Sequence, residues 1–325
     1  MLTNLNTKIY VAGHRGMLGS AILNHLKQLG YTNLITRTHE ELDLTNQEDV
    51  RFFFQNEKPE QVYLAAAKVG GINANNIYPA EFIYTNLMIE TNVIHQSWCA
   101  GVKKILFIGS SCAYPCKSDQ PIKEEALLTG KLELTSEPYA IAKIAGLKMC
   151  ESYNRQYGES HGIDYRSVVP ATLYGPGDSY DLENNHVIPA LIRKFHESKI
   201  SNKPAVTIWG SGTPLREFIY VEDMARMVAF VMNLSVDVFN YSTQPQLRQL
   251  NIGSGVEVSI AELAKKISRI VEFEGKIKFD KSKADGASRK LLDSSRFSKI
   301  YNFKSTDLDL GIKHSYKDFL LTQSK

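Results

Sequence analysis

Tyr139 and Lys143 lie four residues apart in the stretch Glu137-Pro138-Tyr139-Ala140-Ile141-Ala142-Lys143. Pro138 suits the first turn of a helix, where its missing N–H forfeits no bond. The spacing then sets phenol and ammonium on one helix face. An ammonium beside a phenol favours the phenolate and draws its pKa down from about 10. Tyr139 is therefore read as an acid or base usable near neutral pH, with Lys143 supporting it and holding a cofactor ribose. With 16 tyrosines and 38 lysines and arginines in 325 residues, such pairs also arise by chance, as surface contacts worth about 0.2–0.5 kcal/mol. Two other features raise this one above chance: Ser110, in Gly109-Ser110-Ser111-Cys112, and a glycine motif near the N-terminus.

These groups need a scaffold, and the first 177 residues read as one. Residues 8–12 form a short apolar run with the character of a buried strand. Gly13-His14-Arg15-Gly16-Met17-Leu18-Gly19 follows, then a helical pattern through Leu18, Ile22, Leu23, Leu26 and Leu29 that stops at Gly30. Strand, glycine turn and helix stand in the order of a dinucleotide site. Gly13, Gly16 and Gly19 permit the tight turn and close backbone approach, and the helix N-terminus takes the pyrophosphate. A strand over 33–37 ends in Arg37-Thr38-His39, where an acidic residue would bind the ribose hydroxyls of NAD. Arg37, with Arg15, is expected to neutralise the 2′-phosphate of NADP instead. Asp43 and Leu44 suit the adenine end. Ala65, Ala66 and Ala67, closing a strand over 61–67, let a cofactor lie against backbone. A helix over 83–100, a strand over 104–109, the helix over 139–157 and a strand over 166–169 continue the alternation. It predicts an α/β fold, a Rossmann-type doubly wound parallel sheet with helices on both faces. Ser110 and Cys112 stand at the carboxyl end of a strand, where such sheets bind ligands.

After Gly177 the rhythm changes. A polar stretch over 178–185 precedes a helix over 186–199, a strand over 205–209 and a strand over 216–220 expected to return to the sheet. A helix over 224–234, a strand over 249–252, a helix over 259–271 and a basic stretch over 276–290 follow. The surplus chain implies a smaller, interleaved substrate domain (178–214 and 251–325) beside the nucleotide-binding domain (1–177 and 215–250), with a cleft between them.

Hydrophobic content of 43%, charged content of 22% and a net charge of +3 describe an ordinary globular chain with no call for a nucleic-acid partner. No apolar run approaches the roughly 20 residues of a membrane span, and the N-terminus lacks a signal-peptide core; the expectation is a cytoplasmic protein. Cys99, Cys112, Cys116 and Cys150 make no disulfide framework in a chain this long, and no second Cys/His pair at zinc spacing accompanies them, so no metal is expected.

Six stretches together carry a closer resemblance: Ala12-Gly13-His14-Arg15-Gly16-Met17, Leu64-Ala65-Ala66-Ala67-Lys68-Val69-Gly70-Gly71, Gly109-Ser110-Ser111-Cys112, Tyr139-Ala140-Ile141-Ala142-Lys143-Ile144-Ala145-Gly146, His186-Val187-Ile188-Pro189-Ala190-Leu191 and Trp209-Gly210-Ser211-Gly212-Thr213-Pro214-Leu215-Arg216-Glu217-Phe218. Over nearly the whole chain the sequence resembles the GDP-L-fucose synthase family of extended short-chain dehydrogenases/reductases. The resemblance implies 3,5-epimerisation and NADPH-dependent 4-reduction of GDP-4-keto-6-deoxy-D-mannose. It implies that Tyr139 gives the proton to the carbonyl, that Lys143 supports it, and that Ser110 hydrogen-bonds the keto oxygen. It makes Cys112 and His186 the pair that exchanges protons at sugar carbons. It further implies cofactor contacts at Met17, His39, Ile108, Gly109, Pro170, Thr172, Leu173 and His186, and GDP-sugar contacts at Lys194, Trp209, Arg216, Asp285 and Lys290. A homodimer joined by the helices over 83–100 and 139–157 is expected on the same ground.

The chemistry is coherent in its own right. A ketone at C4 acidifies the protons on C3 and C5, so one oxyanion site built from Ser110 and Tyr139 can serve two epimerisations and a reduction. A thiol in an electropositive cleft can act as base, and a histidine can return the proton from the other side of the ring. Three departures bear on specificity. Thr172 stands where relatives commonly have asparagine, beside the nicotinamide. Lys194 replaces an arginine, keeping charge but losing bidentate phosphate binding. His39 replaces a second arginine near the 2′-phosphate. The altered loop keeps open a reductase of a related GDP-4-keto-6-deoxy sugar such as a heptose. A non-catalytic NADP-binding regulator is the alternative of another class, although such a protein often loses the tyrosine or lysine present here.

Overall fold

Ile9, Tyr10, Val11 and Ala12 are at most 1% exposed. A strand buried on both faces needs cover on both sides, as in a parallel sheet wrapped by helices. The computed structural model describes residues 4–181, 186–283 and 285–323; residues 182–185 of the expected polar stretch lie outside them. In chain order its elements are β1 (Ile9–Ala12), α1 (Met17–Gln28), β2 (Leu34–Ile35), α2 (Gln47–Glu57), β3 (Gln61–Leu64), α3 (Ile72–Ile77), α4 (Pro79–Cys99), β4 (Lys104–Ile108), α5 (Glu137–His161), β5 (Asp164–Pro170) and β6 (Thr172–Tyr174). There follow α6 (Val187–Ile200), β7 (Ala205–Trp209), β8 (Leu215–Tyr220), α7 (Val221–Asn233), α8 (Val236–Ser242), β9 (Gln249–Ile252), β10 (Glu257–Ser259), α9 (Ile260–Val271), β11 (Lys276–Asp280), β12 (Arg289–Lys290), α10 (Ser295–Ser298) and α11 (Leu308–Gln323).

Six strands form the main sheet in the order β2-β1-β3-β4-β5-β9, and each neighbouring pair is parallel. The chain goes outward from β1 to β2 and then crosses back to β3. Winding therefore reverses between β1 and β3, which is where sheets of this type take ligands, at the carboxyl ends. Ile22 and Leu26 of α1, Val93 and Ile94 of α4, and Val228 and Met232 of α7 pack in one apolar cluster with the strands.

A second apolar cluster joins Ile192 and Phe195 of α6, Leu263 and Ile267 of α9, and Ile312 and Phe319 of α11. Its strands form a sheet in the order β10-β8-β12, with β6 also on β8, and a two-stranded sheet of β11 and β7. The strand expected to rejoin the main sheet at 216–220 does not do so. β8 is paired with β10, β12 and β6, while β9 takes the place beside β5. The side-chain alternation of β8 shows why its sequence misleads. Ile219 faces the first cluster and Phe218 and Tyr220 the second, so the strand is apolar on both faces, like a central strand of a parallel sheet. Leu292 and Phe297 return to the first cluster, so the C-terminal third stitches the two cores together.

Local chemistry sets the element ends. Ser259 and Glu262 form a capping box at the start of α9, satisfying two orphan N–H groups. Pro138 occupies the first turn of α5, and Gly162 ends that helix in the left-handed conformation. β3 stops at Leu64 rather than continuing through Ala67. Beyond it, Asn86 of α4 accepts from the Lys68 N–H at 2.9 Å and donates to the Lys68 carbonyl at 3.0 Å, drawing the chain away from the sheet.

Candidate active site

Gly13, after β1, has φ +83 and packs on the chain after β3: a Cβ there would lie 2.7 Å from Ala66 Cα. A Cβ at Gly19 would lie 2.1 Å from the Gly13 carbonyl oxygen. These two glycines are required by the turn itself, and the tight turn leaves Gly16 exposed at the N-cap of α1. Backbone at an open helix N-terminus fits a diphosphate. Arg15 is exposed beside it. Arg37 is ion-paired with Glu57 at 2.5 Å, donates to its neighbour Thr36's carbonyl at 2.8 Å and lies over the Phe53 ring. Glu57 also holds Lys8, so Arg37 belongs to a local charge cluster. His39 is largely exposed, 3.8 Å from Asp43. Asp43 accepts from the Thr45 N–H and hydroxyl, and the Leu44 carbonyl accepts from Asn92. The Gly109 N–H donates to the Val168 carbonyl at 2.8 Å, which joins the ends of β4 and β5 and brings Ile108 and Pro170 to the same edge. Ala171 donates to the Ile252 carbonyl, and Thr172 and Leu173 run on into β6.

The Tyr139–Lys143 pair departs from the sequence reading. Lys143 is 3% exposed, and its ammonium lies 3.0 Å from Glu90 Oε1, donates to the Ile108 carbonyl at 3.1 Å and stands 5.8 Å from the Tyr139 ring centre. Its charge is answered by Glu90. Burial raises the Tyr139 phenol well above its ordinary value, nearby Cys112 and Glu90 add to this, and a hydrogen bond with Ser110 opposes it. The expected depression by Lys143 is absent. Tyr139 thus keeps its proton, as an acid for carbonyl reduction must. Burial likewise pushes the Glu90 carboxyl upward, against the pull of Lys143. Sequence reasoning missed Glu90, 1% exposed on α4. Its signal was available: a lone acid among Ile89, Val93 and Ile94 on an apolar helix. Replacing one member of a buried ion pair leaves the other uncompensated, at a cost of about 3–5 kcal/mol. Glu90→Gln should lose stability of that order in urea unfolding; an unchanged midpoint would contradict the pairing.

Ser110 follows β4 by two residues, and its hydroxyl caps the short 3-10 turn Ser111–Ala113 by accepting from the Cys112 N–H at 3.2 Å. The same hydroxyl opposes the upward shift of Tyr139 and helps lower the Cys112 thiol. Burial raises the Cys112 pKa, but the Lys290 ammonium and hydrogen bonds from Ser110, Ser136 and Lys290 outweigh it, and the net shift is downward. Ser136, the N-cap residue of α5, is a second group missed from the sequence, although Ser-Glu-Pro is a helix-start pattern. Lys290 Nζ lies 3.8 Å from Cys112 Sγ. Ser110, Cys112, Ser136, Tyr139 and Lys290 therefore meet, with Lys143 and Glu90 adjoining Tyr139.

His186 is the N-cap residue of α6, and burial lowers its pKa. Lys194, further along α6, is likewise lowered by burial. Trp209, Arg216 and Asp285 gather elsewhere, around the turn after β7. Asp285 accepts from the Ser211 N–H at 2.7 Å and hydroxyl at 2.8 Å and attracts Arg216. Trp209 is 62% exposed, with Lys283 over its ring. The two groups connect through β8 and β12, where Lys290 is the register partner of Arg216.

The NAD dependent epimerase/dehydratase family model matches residues 9–252. The chain is 52% identical over 318 residues to GDP-L-fucose synthase of Escherichia coli (strain K12), covering 98% of either protein. Among solved structures it resembles a GDP-6-OMe-4-keto-L-xylo-heptose reductase from C. jejuni, with TM-score 0.91, 38% identity and 99% of each chain covered. It also resembles a GDP-L-fucose synthetase from Naegleria fowleri bound to NADP, with TM-score 0.89, 26% identity, and coverage of 100% of this chain and 97% of that one. The chain belongs to the NAD dependent epimerase/dehydratase family and, within it, to the family of the GDP-L-fucose synthases.

Proposed function

We propose that this protein converts GDP-4-keto-6-deoxy-D-mannose to GDP-L-fucose, by epimerisation at C3 and C5 and NADPH-dependent reduction at C4, in the cytoplasm. The observation that carries the proposal is the gathering at one strand end of Ser110, the Tyr139 phenol beside Lys143 and the Cys112 thiol 3.8 Å from the Lys290 ammonium. A simple reductase has no need of the thiol. The 52% identity to the Escherichia coli synthase supports the substrate.

Gly13, Gly16, Gly19, Arg15 and Met17 would hold NADPH at the start of α1, with Ala65–Ala67 and the Ile108–Gly109 and Pro170–Leu173 edges alongside and Lys143 at the ribose. The bound nucleotide supplies the hydride for C4. Ser110 and Tyr139 donate hydrogen bonds to the C4 oxygen as negative charge grows on it. Cys112 takes the proton from C3 or C5, and His186 returns one from the opposite face. Tyr139 then gives its proton to the C4 oxygen during reduction. Trp209, Arg216, Asp285 and Lys194 hold the GDP end, in a substrate domain that takes in β8 as well as the expected 178–214 and C-terminal stretch. Product NMR after incubation with NADPH tests the reading: GDP-L-fucose is expected, and a product unchanged at C3 and C5 would overturn it. The C. jejuni neighbour and Thr172 favour one second reading, reduction of a GDP-4-keto-6-deoxy-heptose, which the same assay separates.

The cofactor expectation rests on Arg15 and Arg37, of which Arg37 also pairs with Glu57. A charge-assisted bond to the 2′-phosphate contributes about 1.5–3 kcal/mol. Arg15→Ala should therefore weaken NADPH at least tenfold and leave NADH nearly unchanged in fluorescence titrations, while Arg37→Ala acts less. A homodimer is proposed through the outer faces of α4 and α5, where Tyr84 and Ile141 are 62% and 41% exposed.

A further inference from the structure

We propose that Lys290 is a positioning residue for epimerisation: its ammonium, 3.8 Å from Cys112 Sγ, holds that thiol as the thiolate in the resting site. The proposal rests on the reading of Cys112 as the base at C3 and C5. Lys290 arrives there by strand alternation. β12 pairs with β8, and successive side chains of a strand point to opposite faces. Arg289 turns one way, into a two-bond contact with Glu257 at 2.8 and 2.6 Å, and Lys290 turns the other way, to the thiol. The segment is fastened just beyond. The Leu291 N–H donates to Gln120 Oε1 and the Leu292 N–H to Glu217 Oε2, and the Ile122 N–H donates to the Leu291 carbonyl. The backbone carrying the ammonium is therefore tied to the loop that follows Cys112.

The groups acting on the thiol are Ser110 from just beyond β4, Ser136 from the N-cap of α5, Tyr139 from α5, and Lys290 from β12. Hydroxyls can serve a thiol or a thiolate, and Tyr139 keeps its proton. Lys290 is the one cation among these four, and a positive charge at this range is what turns a partly buried thiol into a base. The step moves one proton from carbon to sulfur and leaves the electron pair as an enolate on the C4 oxygen, so no oxidant or reductant takes part. The same lysine then faces a neutral thiol until that proton leaves.

The test is the pH dependence of iodoacetamide alkylation in the ligand-free enzyme, read at the Cys112 peptide by mass spectrometry. Lys290→Met should move the alkylation midpoint up by about 1–3 pH units, and Lys290→Arg should restore it towards the parent value. Lys290→Gln gives the same comparison should the methionine variant not fold. In heavy water, Lys290→Met should lose ring-proton exchange at neutral pH, and Lys290→Arg should restore it. Superimposable alkylation curves for parent and Lys290→Met or Lys290→Gln would overturn the proposal, whatever the exchange rate. A parent enzyme with the low midpoint but no ring exchange would overturn the base reading of Cys112 and leave the hold of Lys290 on the thiol standing.

Discussion

Tyr139→Phe should cut ketone reduction by about 10²–10⁴-fold, the contribution of a positioned general acid, while leaving NADPH affinity within a factor of about two. The phenol ring stays packed edge-on against Phe82, with centroids 6.4 Å apart, so the substitution removes one oxygen and little packing. Lys143 remains on Glu90 and Ile108, so the cofactor side of the site is undisturbed. Stopped-flow loss of NADPH absorbance with the keto sugar measures the first effect, and fluorescence titration the second. Deuterium uptake at C3 and C5 should fall less than reduction, because Ser110 still donates to the oxyanion. The upward shift of the phenol also sets the sign of the pH dependence: the acid form persists through the neutral range, so Tyr139 titration takes nothing from reduction as pH rises towards 9 or so. Reduction at the parent rate by Tyr139→Phe would remove Tyr139 from the role.

The order of elements that builds the main sheet was legible because each strand there is followed by a signal of short range: glycines after β1, alanines after β3, Gly-Ser-Ser-Cys after β4. Those signals also place the candidate site, since ligands gather at carboxyl ends. What was not legible depends on pairing across long sequence distances. The apolar run of β8 reads the same whether its neighbours are β5 and β9 or β10 and β12. The charge state of Tyr139 was inferred from the lysine four residues away, but the deciding partner of that lysine is Glu90, on another helix. Arg37 likewise has a partner its local sequence does not display, Glu57 at the end of α2. A sequence displays a charged residue's local spacing and conceals which opposite charge reaches it first.

Cys112→Ala should abolish deuterium uptake at C3 and C5 from heavy water and leave reduction of a ketone that needs no epimerisation close to the parent rate. Removing a proton beside a ketone exposes that position to solvent exchange, whereas hydride delivery to C4 does not. Cys112 sits on the 3-10 turn capped by Ser110, and alanine preserves that backbone, so Ser110 and Tyr139 keep their places. A merely structural thiol makes the opposite forecast, a modest loss of stability with exchange intact. Epimerisation needs the thiolate and a charged His186 together. Burial lowers His186 and the surroundings lower Cys112, so both limbs of the pH profile move towards acid. Exchange should therefore follow a bell against pH, falling on the acid side as Cys112 gains its proton and on the alkaline side as His186 loses one. Reduction of the non-epimerised ketone should lack that bell. Exchange at the parent rate in Cys112→Ala would show that another group is the base; a parent enzyme that reduces its keto sugar without any exchange would be a plain C4-reductase.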